Sequence, residues 1–194
     1  VTITNGYVTL DEAQEYIGQP NGAANPQLED TIEAVSRLID GHCQRHFWQT
    51  SAGTARLFTA VDLWVLDLGP FNDVVSVASV TENGASVTGY RLEPRNVAGP
   101  ETRPFTRIRR TVGEWRMSSP DQLWEVTVTG VFGWPAVPAA VKQACRLQVA
   151  RVFKRADSPL GVAGFGEFGV VRVTQLDPDV KALLEPYRRH AGFA

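Results

Sequence analysis

Leu123-Trp124-Glu125-Val126-Thr127-Val128-Thr129, then Gly130, then Phe132-Gly133-Trp134-Pro135-Ala136-Val137-Pro138, then Ala139 to Arg155: this stretch decides how the chain is built. Its first part alternates, with Trp124, Val126 and Val128 on one face and Glu125, Thr127 and Thr129 on the other. That is the period of a half-buried strand, here expected to break at Gly130. The last part has a helical period, and Pro138 suits a first helical turn, where its missing N–H has no bond to lose. A β region therefore precedes the junction and a helical region follows it. In the helix, Val141, Cys145, Val149 and Val152 form an apolar stripe while Leu147 and Ala150 point elsewhere, so packing on more than one side is expected.

Working back from the junction, residues 51 to 133 read as short strands: Arg56–Ala60, Leu63–Asp67, Val74–Thr81, Ser86–Leu92, Phe105–Arg109 and Leu123–Thr129. Glu82-Asn83-Gly84 marks a tight hairpin, because Asn-Gly accepts the positive φ angles of a primed turn. Before the strands come two helices. Thr9-Leu10-Asp11-Glu12 spells a capping box for a short helix that stops at Gly18-Gln19-Pro20. Asn25-Pro26 then opens a longer helix, in which Leu28, Ile32, Val35, Ile39 and Cys43 or His46 recur at spacings of four and three. Beyond Arg155, the segment Asp157 to Gly169 interleaves four glycines with Phe165 and Phe168, a loop expected to be ordered by a partner. Asp177-Pro178-Asp179 caps a last helix from Val180 to about Glu185, ended or kinked by Pro186. The fold class expected is α+β: a helical bundle of N- and C-terminal helices, residues 1–50 and 134–194, with a small antiparallel sheet or sandwich inserted over 51–133.

The 194 residues suit one domain carrying an insertion. A hydrophobic fraction of 43% and a net charge of −2 exclude a disordered tail or a histone-like coat. No run of eighteen apolar residues is present to span a membrane, and Val1 to Gly6 lacks the regions of a secretion signal. Cys43 and Cys145 fall in predicted core helices, as buried thiols of a cytosolic product would. Charge is divided along the chain. Residues 1 to 50 hold seven acids, Glu29, Asp30 and Glu33 among them, against two cations. Residues 91 to 116 hold seven arginines against three acids. Opposite signs on separate parts suit head-to-tail packing of identical subunits. In the helix after Pro138 the polar positions are Lys142, Arg146, Arg151, Lys154 and Arg155, with no acid among them. They read either as a solvated face whose last turn complements the helix dipole or as a cationic wall facing an acidic partner.

Catalytic patterns are missing. His42, Cys43 and His46 lack a fourth local ligand, and His46 falls on the apolar stripe, so packed histidines are expected and no metal or other cofactor. Gly161 to Gly169 has neither the Lys-Ser/Thr ending nor the preceding strand of a phosphate loop, and no serine sits in a nucleophile elbow. The arginines of residues 103–116 read as falling on both faces of a strand, which argues against a dedicated DNA-binding stripe.

Taken together, several segments carry a resemblance. They are Val8-Thr9-Leu10-Asp11-Glu12-Ala13, the long helix ending near His46-Phe47, Val128-Thr129-Gly130-Val131-Phe132-Gly133-Trp134-Pro135 with Val137-Pro138-Ala139-Ala140-Val141, and Asp177-Pro178-Asp179-Val180-Lys181-Ala182-Leu183-Leu184-Glu185-Pro186-Tyr187-Arg188-Arg189. In this order they resemble the head-to-tail connector (adaptor) proteins of tailed bacteriophages and gene transfer agents. The resemblance implies a non-enzymatic virion protein, made in the host cytoplasm and placed in the neck between portal and tail. It implies a ring, typically of twelve copies, under the portal protein, extending the DNA channel, with head-closure or tail proteins below. Contact with genomic DNA would be transient and non-specific. Carried over, portal docking falls to Val180, Leu183, Leu184, Tyr187, Arg188 and Arg189, and Phe165, Glu167 and Phe168 would face a neighbouring subunit or the channel. Lys142, Arg146 and Arg151 would meet Glu29, Asp30 and Glu33 of the next subunit. Another neck component, a head-closure or tail-terminator protein, is the alternative within the same class. A glycan- or host-binding module with an aromatic cleft near Trp64, Trp115 or Trp124 is the alternative outside it.

Overall fold

The computed structural model describes residues 3–95, 103–118, 123–156 and 176–189. The described residues form α1 (Leu10–Ile17), α2 (Pro26–Cys43), strands β1 (Thr54–Phe58), β2 (Val65–Asp67), β3 (Val74–Glu82), β4 (Ala85–Ser86), β5 (Tyr90–Glu93), β6 (Arg107–Arg110) and β7 (Val126–Phe132), then α3 (Ala139–Ala156), α4 (Pro178–Leu184) and a 3-10 turn (Glu185–Tyr187). The class is α+β: four helices pack together, and two small antiparallel sheets are inserted between α2 and α3. The chain divides into two compact units. The helical unit comprises Val1–Cys43 and Val137–Arg188, and the β unit comprises Gln44–Ala136 and Arg189–Ala194.

In the helical unit each helix starts where its cap dictates. Thr9 accepts from the Glu12 N–H and Glu12 returns the bond to the Thr9 N–H, and Gly18 ends α1 in the left-handed region. Asn25 accepts from the Leu28 N–H at 3.1 Å and opens α2. Leu28, Ile32, Val35, Ile39 and Cys43 are all buried. Each large aliphatic among them contributes roughly 1.5–3 kcal/mol before the cost of ordering is subtracted. Helix α2 stops at Cys43, short of the His46 the periodicity suggested, because Gln44 takes a φ of 54° that no helix can continue. Helix α3 is the hub of this unit and packs against α1, α2 and α4. Its buried side is Val141, Ala144, Cys145, Gln148, Val149 and Phe153, while Val152, which the sequence placed on the stripe, is 37% exposed. The apolar surplus on α3 is therefore spent on three neighbouring helices.

In the β unit, β7 is an inner strand of a four-stranded sheet ordered β1-β7-β3-β4, and β2-β6-β5 form the second sheet. Leu66, Leu68 and Ile108 from the second sheet region meet Val74, Val80, Val126, Val128 and Phe132 from the first in one buried cluster that also holds Trp115. Two expectations are corrected here. Strand β7 does not break at Gly130 but runs through it to Phe132, alternating buried and half-buried positions to its end. Glycine is present because a Cβ there would sit 2.1 Å from the Ser76 carbonyl oxygen, where the β3 register shifts. Nor is Ser86–Leu92 one strand. After the Asn83-Gly84 turn, β4 stays on β3, and the chain then crosses to pair β5 with β6.

Candidate functional site

The sequence-derived docking residues occupy different settings. In α4 the Asp177 side chain accepts from the Asp179 N–H at 3.0 Å, Pro178 takes the first helical position, and Val180 and Leu184 point into the helical core. Tyr187 in the 3-10 turn is also buried, while Leu183 is half-buried and Arg188 exposed. Arg189 belongs to the β unit. There its guanidinium donates to Asp73 at 2.7 Å, to Asp67 at 2.6 Å and to the Thr106 carbonyl at 3.3 Å. Phe165, Glu167 and Phe168 lie outside the described residues.

Asp73 is a buried carboxylate that ties three side chains together in the β unit, and no local pattern signals it. It is 1% exposed and accepts from Arg45 at 2.6 Å, Arg189 at 2.7 Å and the Trp134 indole N–H at 3.2 Å. Arg45 also lies over the Trp134 ring, 5.7 Å from its centroid. The Gly-Trp-Pro junction is thus tied down by a buried ionic cluster. Gly133 within it has a φ of 108° and would place a Cβ 1.8 Å from the Trp48 carbonyl oxygen.

Three of the α3 cations, Lys142, Arg146 and Arg151, find partners inside the chain. Glu12 receives Arg146 at 2.9 Å and Lys142 at 3.8 Å, and Arg151 pairs with Asp177. The Glu12 carboxyl is held below its usual range chiefly by the Thr9 backbone N–H, which outweighs the upward push of burial, with Lys142 and Arg146 adding to the lowering. Of the acids expected to face these cations in a neighbour, Glu33 accepts from the Thr4 N–H, Glu29 is half-buried and Asp30 is exposed.

A different charged surface appears on the sheet β2-β6-β5. Register places Leu66, Ile108 and Leu92 in one inward row. The outward face holds a row Val65-Arg109-Arg91 and a row Asp67-Arg107-Glu93. Arg107 and Arg109 share this face, while Arg110, opposite Tyr90, falls on the other with its guanidinium 4.8 Å from the Trp115 ring centroid, so the arginines lie on both faces of the strand as their alternation suggested. Glu93 receives Arg109 at 2.8 Å and Arg91 at 3.1 Å. Burial alone would raise the Glu93 carboxyl, but the hydrogen bonds from these two arginines outweigh it and the net shift is downward.

With this geometry in view, three solved structures are informative. The chain matches a chain in the neck of an empty GTA particle computed with C6 symmetry, with a TM-score of 0.60 and 20% identity over 100% of this chain and 95% of that one. A second match is in the neck of a native GTA particle computed with C12 symmetry, with a TM-score of 0.57 and 18% identity over 100% and 94%. A third is in the virion of a native gene transfer agent particle, with a TM-score of 0.55 and 19% identity over 100% and 95%. The chain shares the fold of these neck chains. No family model matches the sequence, and no curated protein matches it.

The remaining candidates on this neck-chain fold resolve into packing. Cys145 is fully buried, its thiol pushed up to about 12 by burial, with the Ser36 hydroxyl 3.9 Å away. His42 is shifted down chiefly by burial and by Arg188, with Glu185 opposing and Lys181 adding a smaller push downward. The His46 ring packs near Trp48 and Phe71, with centroids 4.9 and 5.0 Å apart. Among the described residues no cluster of three or more His, Cys, Asp or Glu is arranged to hold a metal ion. Among the described residues no helix is long and apolar enough to cross a membrane. Trp115 is 1% exposed and belongs to the core, Trp64 is 46% exposed, and Trp124 is covered by Arg116 at 4.5 Å.

Proposed function

We propose that this chain is the head-to-tail connector of a tailed phage or gene transfer agent: a structural, non-enzymatic protein that forms a ring, of twelve copies, beneath the portal and extends the DNA channel towards the tail. The observation that carries the reading is the fold shared end to end with chains of GTA necks computed with C6 and C12 symmetry. The ordered series of segments that resembles the connector family supports the same placement. In this reading the C-terminal segment meets the portal through its outward groups, Leu183 and Arg188. Val180, Leu184 and Tyr187 hold the segment on its own helical core, and Arg189 anchors the chain end in the β unit.

The test is reconstitution with purified portal, followed by electron microscopy of the complex and of intact particles. A ring of this chain directly below the portal is the expected result. A position one ring further from the capsid would make it the head-closure component instead, and absence from the particle would overturn the reading. Leu183→Asp with Arg188→Glu should weaken portal capture while leaving the fold intact. Unchanged capture would remove the docking role from this segment.

A further inference from the structure

Two surfaces carry arrangements that are locally unfavourable by themselves and opposite in sign. On the outward face of β2-β6-β5, Arg91 and Arg109 are direct cross-strand partners. Like charges in that position destabilise a sheet. Both depend on one carboxylate, Glu93, and Arg107 beside them shares Asp67 with Arg189. On this face three guanidinium groups, Arg91, Arg107 and Arg109, thus share two carboxylates, Glu93 and Asp67, while Arg189 is also held by Asp73, and Arg91 and Arg107 remain 45% and 43% exposed. On α1, Asp11 and Glu15 are one turn apart and both exposed, and the last turn of that helix contains no basic residue. Like charges at this spacing repel, and an acid in a last turn opposes the helix dipole. Glu12, between them, is already occupied by Lys142 and Arg146.

We propose that the outward face of β2-β6-β5, through Arg91 and Arg107, seats against Asp11 and Glu15 of a second copy of this chain. The inference rests on the ring reading and names the surfaces that would build the ring. Each surface supplies counter-charge that the other has only in part within its own chain, where Arg91 and Arg109 share the single carboxylate of Glu93. Discrete carboxylates also fit this face better than a phosphate backbone does. Asp67 and Glu93 lie among the arginines and would repel a continuous line of negative charge, whereas two carboxylates on a helix can sit over Arg91 and Arg107 alone. Contact of this kind is heterologous, joining one patch to a different patch, and closes into a ring when the rotation permits.

Assembly of the full chain, with portal present if the chain alone is monomeric, tests this by sedimentation velocity and mass photometry. R91E/R107E and D11K/E15K should each raise the concentration needed for half-assembly by about ten-fold or more, since like charges across an interface are strongly unfavourable. Mixing the two variants should restore assembly, because alternating subunits recreate both contacts. R91Q/R107Q and E15K, milder changes, should shift assembly in the same direction if either double variant folds poorly. A wild-type chain that never assembles overturns the ring reading and this contact together. Normal rings from the charge-reversed variants, or a mixture that fails to recover, overturn this contact alone. Loss of DNA retention in the arginine variants with unchanged rings would assign the face to nucleic acid instead.

Discussion

Asp73→Asn keeps the shape of the side chain and removes its charge, so it isolates what the buried ionic cluster contributes. The carboxylate is 1% exposed and bridges Arg45, Arg189 and the Trp134 indole. The arginine side chains are only 15% and 9% exposed. Removing one member of such a buried set costs about 3–5 kcal/mol, because the remaining charges keep their desolvation penalty and lose their partner. Arg189 retains Asp67, at 2.6 Å and 40% exposed, which places the expected loss near the lower end, about 3 kcal/mol. For a chain of this size that corresponds to a fall in Tm of roughly 6–12 °C. Urea unfolding followed by circular dichroism and tryptophan fluorescence measures it. Arg189→Gln alone should cost less, about 1–3 kcal/mol, since Arg45 stays on Asp73. The double variant should lose about 1 kcal/mol less than the sum of the two. A loss below about 1 kcal/mol for Asp73→Asn, the size of a solvent-exposed pair, would refute the claim that this cluster holds the Gly-Trp-Pro junction.

Gly133→Ala should cost about 2–5 kcal/mol, because its Cβ meets the Trp48 carbonyl and its φ of 108° is strained for any side chain. Gly41→Ala, in α2 with open space around the new methyl, should instead stabilise by about 0.5–1 kcal/mol; the two chemical melts side by side check both signs. The lowered Glu12 carboxyl gives stability that is fully present above its ordinary value of 4.5 and is lost as pH falls through the depressed folded value. Glu12→Gln should therefore flatten the acid side of the stability–pH curve, and an unchanged acid limb would contradict the assignment. Cys145, pushed up to about 12 and fully buried, should resist alkylation in mildly alkaline buffer until the protein unfolds, so modification followed by mass spectrometry should proceed at the unfolding rate.

What could be read from the sequence was whatever a short window encodes. The Thr9–Glu12 capping box, the Asn25-Pro26 start, the Asn83-Gly84 hairpin and the Asp177 cap each need only a few neighbouring residues to specify a backbone, and each is present. The four- and three-residue spacing of Leu28, Ile32, Val35 and Ile39 likewise carried its burial with it. Gly130 was misread because a glycine that ends a strand and a glycine that admits a neighbouring backbone look the same in one dimension. Only the Ser76 carbonyl, 54 positions earlier, distinguishes them.

Charge was the least legible property, for a related reason. A cation's role depends on where its counter-ion lies, and here Glu12 and Arg146 are 134 residues apart, Asp73 and Arg189 116 apart. Counting acids and bases along the chain therefore located an imbalance without showing which groups carry it. Three of the α3 cations that looked unopposed along their own helix, Lys142, Arg146 and Arg151, are taken up by Glu12 and Asp177. The arginines of β6 divide by parity: positions 107 and 109 differ by two and point the same way on the strand, while Arg110 points to the other side. That parity was available in the sequence. Its consequence was not, because the significance of Arg109 comes from Arg91 standing directly opposite, and register is set by the β5–β6 pairing. In the proposed contact between copies, the positive partner is therefore the sheet face at Arg91 and Arg107, and the negative partner is Asp11 and Glu15 of α1.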